Sequence, residues 1–169
     1  LIPKNTIDKL KTLGLTGEVR IRHSNAMAIF ATEDFEICTR LVQGEYYKYQ
    51  NMFKELPLHT VISRKELLDA MVRAKMCTAE KCPVKFEIAG SQLGLSIKDQ
   101  TTDYHETVDL QENISEELTI GFDARLVIET LKAFDCDNVG ISLQSPKMPM
   151  IIEAEDSDFK TIVLPVAIK

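Results

Sequence analysis

The chain is poor in the residues that build common catalytic and cofactor sites. Its 169 residues include only 7 glycines and no tryptophan. They contain no phosphate-binding glycine loop, no dinucleotide-binding glycine pattern, and no GxSxG or HExxH motif. His23, His59 and His105 lie in three separate strand-like stretches without a neighbouring nucleophile, so we interpret them as structural or solvent-facing. The sequence therefore predicts a protein that is not an enzyme and uses no cofactor.

Metal-ligand spacing is also missing. The chain has four scattered cysteines: Cys38, Cys77, Cys82 and Cys136. They form no CxxC pair and have no histidine at ligand spacing, so we interpret them as reduced thiols. An acidic cluster at residues 153–158 could suggest a cation site, but its position between two predicted strands favours a solvated hairpin turn. We predict no metal site.

Long apolar runs are absent as well. No stretch of about eighteen apolar residues exists, and the first residues do not read as a charged and then apolar leader. This pattern predicts a soluble cytoplasmic protein without a membrane segment. The length is enough for one complete domain of about 110 residues and part of another.

What the chain does have is a repeated pattern of one strand, one amphipathic helix and three strands. The first copy comprises a strand at 59–63, a helix at 64–76 and strands at 84–88, 93–98 and 104–110. The second comprises a strand at 118–122, a helix at 124–134 and strands at 138–143, 150–154 and 160–166. The helices begin about sixty residues apart, a period typical of a duplicated supersecondary unit.

A third, partial copy occupies the first residues. It has a helix at 4–13, which Gly14 ends, and strands at 18–23, 27–32 and 35–42. Since no strand precedes this helix, we expect the chain to begin inside a domain.

The charge of −6 is unevenly distributed. The three helical segments hold nine Lys or Arg against six Asp or Glu, whereas the rest holds eleven against twenty. The basic residues of the helices are Lys4, Lys9, Lys11, Arg64, Lys65, Arg73, Lys75, Arg125 and Lys132. Such a distribution could present the helices to a polyanion. The alternative is that these residues form the solvated faces of amphipathic helices.

Four segments together resemble the bacterial DNA polymerase III beta subunit, the replicative sliding clamp. They are LVQGEYYKY at 41–49, IGFDARLVIETLK at 120–132, SPKMP at 145–149 and IVLPV at 162–166. Their order and spacing are similar to the family's over essentially the whole chain. The resemblance implies that residues 1–54 are the second half of the middle clamp domain with its linker. Residues 55–169 would then be the complete C-terminal domain.

This resemblance implies an α+β fold, the DNA-clamp fold, with helices lining an inner face and antiparallel sheets outside. Two subunits of three domains each would form a ring around duplex DNA and tether the polymerase to it. The DNA-facing residues would be the basic residues of the helices, except Lys75. Diffuse contacts between lysines and phosphates suit a ring that must slide, because they do not depend on base sequence.

The resemblance also implies a pocket that docks linear peptides of polymerases, the clamp loader and repair proteins. Its residues here would be Met52, Leu126, Pro149, Ile162, Val163, Leu164, Pro165 and Val166. For Ile162, Leu164 and Val166, which an extended strand would place on one face, a core position is an equal alternative. Asn51 and Ala167 stand where the family often has basic residues. A less positive pocket predicts a preference for less acidic peptides, and the pocket's other half would belong to the first part of the middle domain.

Ring closure in this family pairs the first domain of one subunit with the last domain of the other. The last-domain contribution would map near Met76 and Cys77 and onto the strand at 104–110. We therefore expect this chain alone to be a monomer. Two alternatives remain: a clamp-fold protein-binding module that does not encircle DNA, and a small hydrolase that uses Cys77 or Cys82 as nucleophile.

Overall fold

The computed structural model of the chain describes residues 1–14, 16–77, 82–98 and 101–168. They form two compact units, Leu1–Tyr49 and Gln50–Lys169. None of the described helices is long and apolar enough to cross a membrane.

The first unit contains one helix and a three-stranded antiparallel sheet. Its elements are α1 (Lys4–Thr12), β1 (Arg20–His23), β2 (Met27–Ala31) and β3 (Glu36–Arg40), with strand order β1-β2-β3. Among the described residues of this unit, the buried apolar side chains all lie on the central strand and are Ala28, Phe30 and Ala31. The helix contributes Thr6, whose Oγ1 lies 2.8 Å from Thr39 Oγ1 on β3. The predicted helix and three strands are thus confirmed, with shorter bounds.

The second unit contains two helices and a six-stranded antiparallel sheet, ordered β5-β6-β4-β7-β8-β9. A 3₁₀ turn at Tyr49–Met52 leads into it. Its elements are β4 (Leu58–Ser63), α2 (Arg64–Cys77), β5 (Val84–Lys98), β6 (Asp103–Phe122), α3 (Ala124–Lys132), β7 (Asn138–Leu143), β8 (Met150–Ala154) and β9 (Lys160–Val163).

One core joins the helices to one face of this sheet. The buried side chains of α2 (Leu67, Ala70, Met71, Ala74) and of α3 (Ala124, Val127, Ile128, Leu131) belong to a cluster that also includes Phe86, Phe122, Ile141 and Ile152. Because side chains alternate along a strand, the neighbours of the inward-facing residues point to the opposite face. His59, Ser142, Ile151 and Glu153 lie on that outer face of the sheet, next in sequence to inward-facing residues.

The four strands predicted in the middle of the chain are present, but they are joined in pairs. The structure has two long strands, β5 and β6, paired from Val84–Phe122 to Lys98–Asp103. The pairing register shifts on either side of Gly90, which has φ +59° and marks an irregularity in the ladder. Residues 89–92 and 111–113 are exposed and polar or small, and the hairpin bends there. Ser96 Oγ donates to Glu87 Oε2 at 3.1 Å, a contact that nine residues of straight strand would not allow.

The last strand is also shorter than predicted. It ends at Val163, and Val166 forms an isolated bridge with Gly121 of β6. Pro165 interrupts the ladder since it has no N–H to donate. The strand alternation expected to place Ile162, Leu164 and Val166 on one face therefore does not extend past Val163.

Candidate functional site

The five lysines predicted to face DNA are all exposed on the helices: Lys4, Lys9, Lys11, Lys65 and Lys132. None of them forms an ion pair with a described residue. Lys9 and Lys11 lie in the last turn of α1 and Lys132 in the last turn of α3, where a positive charge complements the helix dipole. Their ammonium groups are available for a polyanion.

The three arginines of the same predicted set all have partners within the protein. The Arg73 guanidinium makes two hydrogen bonds to the Glu106 carboxylate, one of them Nε to Oε2 at 3.0 Å. The Arg125 guanidinium binds Asp123, with Nη2 2.8 Å from Oδ2. Arg64 donates from Nε to the backbone carbonyl of Cys136.

These contacts change the protonation equilibria of the groups involved. The hydrogen bonds from Arg73 hold the pKa of Glu106 below its ordinary value, although burial opposes this shift. The same pairing raises the pKa of Arg73. Hydrogen bonds from Arg125 lower the pKa of Asp123 in the same way. Both carboxylates therefore remain ionised, and Arg73 and Arg125 carry less unbalanced charge than the five lysines.

Tyr104 completes a polar cluster between α2 and β6. Its hydroxyl donates to Glu106 Oε2 and lies 3.3 Å from the carbonyl oxygen of Ala70 on α2. Burial, followed by the hydrogen bond to Glu106, raises the pKa of Tyr104 to about 12. The cluster ties the exposed side of α2 to the first half of β6.

The residues predicted to dock peptides differ in exposure. The structure leaves Leu164 57%, Leu126 47% and Val166 39% exposed. Met52, Pro149, Ile162 and Pro165 are half-buried. Val163 is 2% exposed and belongs to the core, so its side chain supports the sheet and is not available at the surface. Leu126 lies on α3, Ile162 and Val163 lie on β9, and residues 164–166 follow β9 directly. Helix α3 packs against β9.

A cavity of about 410 Å³ opens on the outer face of the sheet next to β9. The segment 53–56 forms one wall, and His59, Ser142, Glu153 and Lys160 are among the other lining residues. His59 Nδ1 lies 3.0 Å from Ser142 Oγ and 3.8 Å from Glu153 Oε1. Lys160 Nζ lies 2.7 Å from Glu153 Oε2.

This cluster is not a hydrolase triad, although it joins serine, histidine and carboxylate. In a triad the nucleophile and the acid bind opposite ring nitrogens of the histidine. Here both approach Nδ1. Sequence reasoning placed His59 on a strand but did not find its partners. The available signal was weak, because Ser142 is 83 residues away along the chain.

The residues predicted at the ring interface lie at one end of α2 and on β6. Met76 is 82% exposed and Cys77 is half-buried. The segment 104–110 pairs with β5 along one side. On the opposite side of β6, Leu110 pairs with Ile62 of β4. None of the described strands pairs with residues 103–109 on that side.

No metal site emerges among the residues that the structure describes, since no three His, Cys, Asp or Glu side chains cluster there in a ligating arrangement. The loop that contains Glu155, Asp156 and Asp158 is the exposed connection between β8 and β9, as the hairpin interpretation predicted.

Comparison with known proteins gives the family. The family model described as DNA polymerase III beta subunit, C-terminal domain, matches residues 54–167. This chain belongs to that family. The beta sliding clamp of Streptococcus pneumoniae (strain TIGR4) is 27% identical in an alignment of 155 positions, which covers 88% of this chain and 41% of the relative. The chain thus spans about two-fifths of the length of the clamp relatives that it matches.

Solved structures confirm the clamp fold. The sliding clamp of Caulobacter crescentus superposes with a TM-score of 0.92 at 16% identity and covers 99% of this chain and 46% of that one. A clamp from Bartonella birtlesii, solved bound to griselimycin, gives a TM-score of 0.87 at 21% identity, with 99% and 47% covered. The predicted α+β DNA-clamp fold and the resemblance to the beta subunit are confirmed.

Proposed function

We propose that this chain functions as part of a bacterial replicative sliding clamp, a cytoplasmic processivity factor without catalytic activity of its own. In the complete protein, two subunits of three domains would encircle duplex DNA. Membership of the beta subunit family carries this proposal. The five exposed lysines on three helices support it, because unpaired ammonium groups attract the phosphate backbone without reading bases.

The domain assignment forms part of the proposal. We assign residues 55–169 to the complete C-terminal clamp domain and residues 1–54 to the second half of the middle domain with its linker. The start of the second compact unit at Gln50 and the start of the family model at residue 54 support a boundary in this region. On this assignment, the rest of the middle domain would cover apolar side chains that the first unit exposes, such as Ile21 and Met27.

Ring closure would use the exposed end of α2 and the unpaired side of β6. A strand edge such as 103–109, which none of the described strands pairs on one side, is a template for another chain. Met76 offers an exposed apolar side chain at the end of α2. The 169 residues match about two-fifths of the length of the clamp relatives, so we expect them to be a monomer in isolation. Light scattering that showed a stable closed ring would contradict this expectation.

The second activity that we propose is docking of linear peptides from polymerases, the clamp loader and repair proteins. Leu126, Leu164 and Val166 would receive the large apolar side chains of such a peptide, because they are the exposed members of the predicted set. The Bartonella relative was solved bound to griselimycin, so a protein of this fold offers a ligand site. Val163 would contribute through its backbone.

The test is a fluorescence-anisotropy titration with a labelled peptide that carries the clamp-binding segment of a host DNA polymerase. It compares this chain with a version extended through the whole middle domain. We expect binding by the extended protein and weak or no binding by this chain, as the family resemblance predicts. Leu164→Ala should weaken binding to the extended protein by about tenfold, the loss of one well-buried apolar contact.

A matched control is Phe159→Ala, which removes an exposed apolar side chain from the β8–β9 loop. Its effect on affinity should be small. Equal losses in the two variants, or no binding by the extended protein, would refute the docking assignment. The alternative, a clamp-fold module that does not encircle DNA, would retain peptide binding but give no increase in polymerase processivity.

A further inference from the structure

The backbone conformation at Gly121 does not require a glycine. It is the next-to-last residue of β6 and pairs with Lys85 of β5. The described glycines with positive φ are Gly14, Gly17, Gly44 and Gly90. Gly121 therefore has a backbone conformation that any residue can adopt. What is unusual at this position is the lack of room for a side chain.

The C-terminal segment occupies that space. A Cβ on Gly121 would lie 2.7 Å from the carbonyl oxygen of Val166 and 2.8 Å from Cγ1 of Ile168. Favourable contacts between carbon atoms lie at about 3.5–4.0 Å, so both approaches are repulsive. Because the nearer atom belongs to the backbone, a side-chain rotation cannot relieve the clash. The segment itself would have to move.

Beyond β9 the segment has little regular backbone pairing. Strand pairing ends at Val163, and Leu164, Val166 and Ile168 are exposed. Among the described residues, one backbone hydrogen bond fixes the chain beyond β9, from the Val166 N–H to the Gly121 carbonyl at 2.8 Å. Gly121 thus makes both contacts with this segment: its missing side chain lets the segment approach, and its carbonyl oxygen accepts the hydrogen bond from Val166.

We propose that Gly121 is a positioning residue for the peptide-docking surface. By lacking a side chain, it lets the segment 164–168 lie directly against β6 and so sets where Leu164 and Val166 present their apolar side chains. This role rests on the proposed docking of peptides, but the seating of the segment can be measured without any peptide.

The first measurement is hydrogen exchange, followed by mass spectrometry, on this chain and on Gly121→Ala. We expect faster exchange in residues 164–168, including the Val166 amide, and unchanged exchange in β7 and β8. Gly94→Ala is the matched control, because it lies in the same long hairpin and its Cβ would make ordinary contacts, the nearest at 3.5 Å. Unchanged protection of the segment in Gly121→Ala, or equal loss in the control, would overturn the proposal.

A second variant keeps the test valid if Gly121→Ala does not fold. Val166→Pro removes the N–H donor and leaves β6 intact. It should release the same segment, which we would read as increased hydroxyl-radical labelling of Ile168, because Ile168 lies against Gly121 and the variant has no amide at position 166 to exchange. If the labelling of Ile168 in Val166→Pro equals that in the unmodified chain, the bond to Gly121 does not hold the segment and the proposal fails.

The second measurement is peptide affinity in the version extended through the middle domain, with the same labelled polymerase peptide. Gly121→Ala should weaken binding about tenfold, and this loss should disappear when Val166→Pro is already present, because both changes break one contact. Additive losses would mean that Gly121 acts by another route and would overturn the proposal. If the unmodified extended protein binds no peptide, the docking function fails, and the exchange result alone decides whether Gly121 seats the segment.

Discussion

The two units of this chain anchor their helices in different ways. In the second unit, α3 buries four apolar side chains, and an Asp123 cap precedes it. In the first unit, α1 buries one side chain, the hydroxyl-bearing Thr6, and Pro3 at its N-cap makes no side-chain cap. Both segments were predicted as amphipathic helices from the same kind of pattern. Helix stability in a protein comes chiefly from packing of the apolar face, so equal patterns can give unequal anchoring.

The sheets show the same contrast. The six-stranded sheet contributes apolar side chains from every strand to one core. The three-stranded sheet buries apolar residues on β2 alone, and large apolar side chains of its unit remain exposed, among them Leu13, Ile21 and Val42. A small unit with so little buried area gains little stability from folding. We infer that the second unit dominates the stability of the chain.

The largest effect should come from removing a core aromatic residue of the second unit. Phe86 is fully buried and packs edge-to-face on Phe122 at a ring-centroid distance of 5.0 Å. We expect Phe86→Ala to lower the free energy of unfolding by about 3–5 kcal/mol. Phe30→Ala, the matched change in the first unit, should leave the main transition in chemical denaturation nearly unchanged. Equal shifts would show that the two units unfold together.

A smaller effect should follow from removing the side-chain cap at the N-terminus of α3, a cap that α1 does not have. The Asp123 side chain accepts a hydrogen bond from the Arg125 N–H at 2.9 Å, so Asp123→Ala removes the cap and should cost about 1 kcal/mol. Asp123→Asn keeps the cap acceptor but releases the Arg125 guanidinium from its ion pair. We expect Asn to retain most of the stability in thermal melts and to strengthen binding of duplex DNA at low salt. Identical stability losses for Ala and Asn would contradict the capping role.

The smallest effect concerns the polar cluster of Arg73, Tyr104 and Glu106 between α2 and β6. With its pKa raised to about 12, Tyr104 stabilises the fold below the ordinary tyrosine value of about 10, and this contribution is lost as the pH rises through the folded value. Ultraviolet titration should show a tyrosinate step near pH 12 that is missing in Tyr104→Phe. Glu106→Gln should move the step to lower pH, but only in part, because burial is the larger cause. A step that does not move would exclude the contact with Glu106 as a cause.

Lowering the pH should also weaken this polar cluster, through Glu106. The pKa of Glu106 is lowered in the fold, so its contribution is present above the ordinary value and is lost as the pH falls through the folded value. Arg73 and Glu106 are both partly exposed, and solvent screening keeps the energy of this pair small.

Short-range patterns predicted much of the fold. The strands at 138–143 and 150–154 have the predicted bounds, and α2 begins at the predicted residue, Arg64. These strands are short apolar stretches that polar residues or proline flank: Asp137 and Gln144 for the first, Pro149 and Glu155 for the second. The pattern lapses at residues 89–92 and 111–113, where β5 and β6 bend between two halves that both contribute to the core, so it could not show that the halves are joined.

The candidate site was less predictable than the fold. The charge of Arg73 could be read from the sequence, but its partner Glu106 is 33 residues away. The apolar character of Val163 suited a pocket wall as well as a core position, and only the packing of β9 decided for the core. Nothing local distinguishes Gly121 from any other glycine in a strand.

By itself, the sequence determined which segments become helices and strands, which faces are apolar, and to which family the chain belongs. These properties depend on side-chain periodicity and motifs that act over a few residues. The tertiary structure decided which basic residues keep unpaired charge, which apolar residues reach the surface, and where the C-terminal segment lies. Those outcomes depend on close approaches between segments distant in the chain, such as Gly121 and Val166. Such approaches are set by packing of the whole unit, which no local pattern encodes.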